Sequence, residues 1–201
     1  MMRGMTSYAK RSVALIAPYA AWMVMMAVLP PTAGAYAARG AVTAVLLAAS
    51  AAVLRPPFPA TGKALKGILA GVLAGFLVFL VWIAPETLLG LGGSVQTSSP
   101  YAPSVCGWPL TLAKLLCSAF VISAAEELFF RKWLLEFAGF PWMVALFAVE
   151  HGERWAVGAV AGVVYGLVAR RFGLLSAIAA HALTNFVLGA WVIWRGAWQF
   201  W

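Results

Sequence analysis

Runs of apolar residues about as long as a bilayer is thick recur along this chain, near residues 12–30, 37–54, 66–84, 109–135 and 173–194. A helix needs about 20 residues to cross the hydrocarbon, so each run predicts one span. Two shorter apolar runs, near 141–151 and 155–169, flank the polar turn Gly152-Glu153-Arg154. Together the runs predict an all-α fold, a polytopic transmembrane helix bundle of about seven helices, with the fifth and sixth short enough to leave an indentation from one side. No internal repeat, low-complexity tract or second domain interrupts the pattern, so residues 1–201 read as a single membrane domain. Within it, 1–105 hold accessory N-terminal helices and an external loop, and 106–201 hold the remaining core helices. The longest connection, about 85–108, carries Ser94-Val95-Gln96-Thr97-Ser98-Ser99-Pro100 and no Lys or Arg. A basic start, an apolar run and small residues at Ala33–Ala38 also resemble a cleaved signal peptide. That run is long enough to span and further spans follow, so a retained helix is expected.

Composition supports a membrane as the solvent. The chain is 64% hydrophobic and 10% charged, where soluble domains carry about 25% charged residues. Fourteen Lys and Arg face six acidic residues, all Glu, for a net charge of +8. Such basicity could mean nucleic acid, but the cations sit in small groups at the ends of apolar runs, a pattern that sets membrane orientation and does not track phosphates. Nucleic-acid binding is therefore excluded. Arg3, Lys10 and Arg11, then Arg55, Lys63 and Lys66, then Arg131 and Lys132, then Arg170 and Arg171 fall on one side of seven alternating spans. Arg39, Arg154 and Arg195 fall on the other, and Lys114 lies inside the fourth run. A multi-pass protein of the cell inner membrane follows, with a cytoplasmic N-terminus and an external Trp198-Gln199-Phe200-Trp201 suited to the interfacial belt. Cys106 and Cys117 have neither a redox nor a zinc spacing, and are expected to be unpaired.

Ionisable groups inside a bilayer are costly, so each is a functional-site hypothesis. Here they form three clusters: Glu126-Glu127-Leu128-Phe129-Phe130-Arg131, Phe147-Ala148-Val149-Glu150-His151, and His181-Ala182-Leu183-Thr184-Asn185. At 100° per residue Glu127 and Arg131 share a face, and Glu126 points about 100° away without a local partner. The bland reading of Glu127 and Arg131 is a helix-end ion pair, with Arg131 snorkelling to the interface. Phe147 pairs in the same way with His151, and His181 with Asn185. A lone helical His is usually a hydrogen-bonded core residue; this chain's only two histidines both fall in apolar helices. Counting inward from the cytoplasmic ends, Glu126, His151 and His181 each lie about ten residues, roughly 15 Å, deep. Three helices counted separately converge on one level.

Taken in order, Glu-Glu-x-x-x-Arg, Phe-x-x-x-His and His-x-x-x-Asn resemble the signature of the CPBP family, which includes type II CAAX prenyl proteases and bacteriocin-processing or immunity proteins. The resemblance covers about residues 110–190. It implies an intramembrane endopeptidase of the glutamic type, in which Glu126 and His151 activate a water and His181 and Asn185 support the oxyanion. Glu127 and Arg131 would shape the site. It implies no cofactor and no metal, a membrane-associated polypeptide as substrate within the lipid bilayer, and leaves the oligomeric state open. Elementary chemistry agrees: a carboxylate taken out of water is a stronger base, and preorganised donors in a dry site stabilise developing negative charge. Gly152-Glu153-Arg154-Trp155, Ala180-His181-Ala182-Leu183-Thr184-Asn185 and Trp198-Gln199-Phe200-Trp201 further resemble the CAAX protease-related proteins of bacterial exosortase systems. That narrower resemblance implies a substrate from surface-protein sorting or polysaccharide export, and casts doubt on prenylation. Glu150 competes with Glu126 as base, and Glu153 with Arg154 reads as a pair at the helix junction. Two other readings use the same residues: a zinc-dependent hydrolase with His151, His181 and a glutamate as ligands, and a non-proteolytic membrane chaperone or proton-coupled transporter.

Overall fold

Seven helices account for nearly all the residues described by a computed structural model, which covers 2–54, 61–88, 90 and 98–201. Arg55 and residues 91–97 of the long connection lie outside the described residues, as do the side chains of Arg3 and Lys63. The helices are α1 (Met2–Val28), α2 (Ala33–Leu54), α3 (Thr61–Thr87), α4 (Pro103–Ala138), α5 (Phe140–Glu150), α6 (Trp155–Phe172) and α7 (Leu174–Arg195). Six are long and apolar enough to cross a membrane, and α5, at 11 residues, is not. The chain is thus a multi-pass membrane protein.

The sixth helix corrects the expectation of a short one. It runs to Phe172 and is prolonged at its start by a tight turn, Gly152–Arg154, so that Gly152–Phe172 forms a 21-residue candidate span. Counting apolar residues alone missed Arg170 and Arg171, which complete its last turn. Only α5 is a half-length element, about 16 Å by helical rise.

Local chemistry fixes the ends. Thr32 caps α2 through its hydroxyl, which accepts the Ala35 N–H at 3.2 Å. Pro103 opens α4, and Gly107, at φ 79°, kinks it just before Pro109. Gly139 and Gly173 join α4 to α5 and α6 to α7 as single-residue turns, with φ/ψ of 87°/173° and 94°/169°. Only glycine adopts that region freely.

Lipid-facing and packing faces separate cleanly on α3. Leu69, Leu73 and Leu77 are exposed. Gly67, Gly71 and Gly75, two residues out of step and so on the opposite side, press against α7. A Cβ on Gly71 or Gly75 would collide with the backbone carbonyls of Ser176 and Ala180. Small residues spaced four apart let helix backbones approach in membranes, and α3 packs along α7 more extensively than any other pair. Gly158, Gly162 and Gly166 play the same part on α6, receiving His151, Phe147 and Met143 from α5. Gly75→Ala is therefore expected to destabilise the bundle by about 1–3 kcal/mol through overpacking, read as a lowered thermal midpoint in detergent. Gly62→Ala, where nothing lies within 4 Å, should leave it unchanged.

Candidate active site

Helix α4 is not regular where the glutamates sit. Cys117–Ile122 and Leu128–Leu134 are wider π-helical turns, and Ser123–Glu127 is the α-helical stretch between them. Such turns free backbone carbonyls and recur at functional sites. The freed carbonyl here is that of Ser118, which accepts from Asn185 Nδ2 at 3.2 Å and from Ser123 Oγ at 3.2 Å. Asn185 Nδ2 also donates to Ser123 Oγ at 3.1 Å. Asn185 thus ties α7 to the first π turn with both of its amide hydrogens.

Glu127, Arg131 and His181 form a buried charged triad. Arg131 Nη1 lies 3.0 Å from Glu127 Oε1, the i,i+4 pairing expected from the sequence. His181 Nδ1 lies 2.9 Å from the same oxygen, and its Nε2 lies 3.7 Å from Glu126 Oε2. With Nδ1–H donated to Glu127, Nε2 is the ring atom turned to Glu126. Arg131 corrects the snorkelling expectation: it is 3% exposed. Its guanidinium lies 4.0 Å from the Phe147 ring centre and within 5.7 Å of Phe130 and Tyr165. None of its nitrogens makes an aligned hydrogen bond among the described residues, so ring faces and one carboxylate take the place of water around the charge.

His151 ends α5, where Nδ1 lies 2.6 Å from the Phe147 carbonyl. A carbonyl accepts only, so Nδ1 carries the proton and Nε2 keeps its lone pair. The ring rests edge-on against Trp82, at 5.2 Å between centroids. His181 in turn stacks on Tyr165 at 4.9 Å and 22°. Trp82, Glu126, Phe147, His151, Ala161, Tyr165, His181, Thr184 and Asn185 line one cavity of about 70 Å³, room for a few water molecules. Four of the sequence candidates, Glu126, His151, His181 and Asn185, thus face one space; Glu127 and Arg131 stand behind it. Glu126 and His151 form no ion pair among the described residues and meet only across that space.

Three contributors went unassigned in the sequence. Tyr165 donates to Thr184 Oγ1 at 2.6 Å, and Thr184 donates to the Gly75 carbonyl at 2.8 Å, a relay linking α6, α7 and α3. Thr184 stood inside a quoted motif without a role, and Tyr165 and Trp82 are single residues in apolar helices with no spacing signal. Thr184→Val should cost about 1–3 kcal/mol because it leaves the buried Tyr165 hydroxyl unpaired. Tyr165→Phe, which keeps the Thr184 bond to Gly75, should cost less in the same thermal measurement.

The remaining acidic residues are placed elsewhere. Glu150 accepts a hydrogen bond from Tyr19 of α1 and does not line the cavity. The expected Glu153–Arg154 pair is replaced: Arg154 pairs with Glu86 of α3, donates to the Gln199 carbonyl at 3.2 Å and covers Phe200 at 4.2 Å, while Glu153 is exposed. A neighbour on the next residue cannot compete with a carboxylate and a ring aligned from two other segments. Cys106 and Cys117 are both free. Among the described residues no group of three His, Cys, Asp or Glu side chains is close enough to hold a metal ion.

No curated protein and no solved structure matches the chain. Residues 108–187 match a family model described as "Rce1-like: Type II CAAX prenyl endopeptidase Rce1-like". That segment is less than half of the 201 residues, but it holds Glu126, Glu127, Arg131, His151, His181 and Asn185. Over this matched segment the chain is similar to the Rce1-like type II CAAX prenyl endopeptidases.

Proposed function

We propose that this protein is an intramembrane endopeptidase in which Glu126 is the general base. The observation that carries the reading is the convergence of Glu126, His151 and His181 from α4, α5 and α7 on one small polar cavity inside an otherwise apolar bundle. A water held between Glu126 and His151 Nε2 gives its proton to the Glu126 carboxylate and attacks the carbonyl carbon of the peptide bond. The oxyanion takes its hydrogen bond from His181 Nε2, which is an N–H when the ring is charged. Collapse of the tetrahedral intermediate breaks the C–N bond, and Glu126 returns the proton to the leaving amine. Asn185 enters as the tether of α7 to α4, since both of its N–H groups are engaged. Glu127 and Arg131 are positioning residues.

The substrate is a membrane-associated polypeptide, and the exosortase-linked motif strings favour one from surface-protein sorting or polysaccharide export over a prenylated one. The inner membrane, with the N-terminus cytoplasmic, is the proposed setting. The charge bias behind that orientation now rests on fewer residues, because Arg131 and Arg39 are buried. The test compares polypeptide termini in membranes from cells carrying wild type or Glu126→Gln. A defined terminus present only with the wild type supports the reading and names the substrate. Identical termini with both proteins well expressed would overturn it in favour of a binding or transport role.

A further inference from the structure

Two cations outside the candidate site are buried side by side: Arg39 is 4% exposed and Lys114 is 7% exposed. The Arg39 guanidinium lies 5.3 Å from the Trp22 ring centre and 5.4 Å from that of Tyr36. Lys114 Nζ lies 4.1 Å from Tyr36, 4.5 Å from Tyr101 and 5.0 Å from Trp201. The two cations therefore share the Tyr36 ring. Neither is in an ion pair among the described residues, and Arg39 Nε has no hydrogen-bond partner there.

No glutamate is paired with either of them among the described residues. Of its six acidic side chains, Glu86 is held by Arg154 and Gln199, Glu126 and Glu127 lie against His181 with Arg131, and Glu136 meets Lys132 and Arg11. Glu150 is bound by Tyr19, and Glu153 is exposed. Aromatic faces attract cations, but they do not neutralise two like charges removed from water. An anion from outside the chain would.

Position narrows its chemistry. Arg39 lies about 9 Å along α2 from its start, and Lys114 about 8 Å along α4 from Pro109, just past the Gly107 kink and toward the same end of the bundle. Trp198 and Trp201 stand at that end, as aromatics do at a membrane interface. The anion abundant at that depth is a lipid phosphate. We propose that Arg39 and Lys114 bind the phosphate of an anionic phospholipid, walled by Trp22, Tyr36, Tyr101 and Trp201. The cation pair adjoins the machinery of α4: the Lys114 carbonyl accepts from Ser118 Oγ at 2.8 Å, and the Ser118 carbonyl accepts from Asn185.

The test is native mass spectrometry of the full chain from detergent micelles containing phosphatidylglycerol, an uncharged glycosyl diacylglycerol of the same acyl chains, or inorganic phosphate. Wild type should retain one phosphatidylglycerol with a preference of about tenfold or more over the glycolipid. Arg39→Gln with Lys114→Gln should lose that preference, and Lys114→Arg should keep it. Thermal midpoints are read with and without phosphatidylglycerol within each variant. A less stable variant still reports, since a ligand of the folded state alone raises its midpoint by mass action. Equal retention of both lipids, or a preference that survives the double substitution, overturns the proposal. Millimolar inorganic phosphate that displaces phosphatidylglycerol and reproduces its shift overturns the lipid source and assigns a free anion.

Discussion

Glu126→Gln should lower peptide-bond cleavage by about 10²- to 10⁴-fold, the usual contribution of a positioned general base, on the polypeptide whose terminus identifies it as substrate. The substitution keeps the size and the polar contact toward His181 but cannot take a proton from water. Glu126 lies between π-helical turns and is not a partner of Arg131, so the triad behind the cavity stays assembled. Helical content, membrane insertion and thermal midpoint should match wild type. The informative control is Glu150→Gln. Glu150 is engaged by Tyr19 and stands outside the cavity, so its amide variant should retain activity within about tenfold. The reverse ranking, with Glu150→Gln inactive and Glu126→Gln active, would transfer the base to Glu150.

Arg131→Leu is expected to be the most destabilising single change, by about 3–5 kcal/mol, because it strands the Glu127 carboxylate in a buried site. Arg131→Lys should rescue little of this. A compact ammonium cannot lie flat against Phe147 while reaching Glu127, and it surrenders the ring contacts for a hydration shell that the site does not supply. Adding Glu127→Gln to Arg131→Leu should recover part of the loss, since the uncompensated charge goes with it. The coupling from that double-mutant cycle is the measured quantity. Thermal midpoints for Arg131→Leu within about 1 kcal/mol of wild type would mean that Arg131 is only weakly tied to Glu127.

Helix count was legible from the apolar runs because a bilayer imposes a length on each. The pairing of Glu127 with Arg131 was legible because it is local, four residues along one helix. Contacts between helices were not. Glu127 meets His181 across a long sequence separation, and no spacing rule encodes it. Arg131 read as an interfacial residue because the rings that replace its water come from α4, α5 and α6. The oxyanion role of Asn185 came from the resemblance, and its bonds to Ser118 and Ser123 were not legible because the π turn that engages it leaves no mark in residue type or period. The sixth helix read short because its last turn is charged, and the apolar count stopped before Arg170.

The glycine face of α3 also decides where this protein can be cut. The recognisable segment begins at residue 108, yet Gly75 anchors the Thr184 relay, Trp82 walls the cavity and Tyr19 holds Glu150. A chain beginning at 108 would expose the α7 backbone where Gly71 and Gly75 now lie against it. The edge of resemblance is an edge of sequence memory and not of folding. Chimeras that exchange the N-terminal helices between relatives must carry α3 and α7 together.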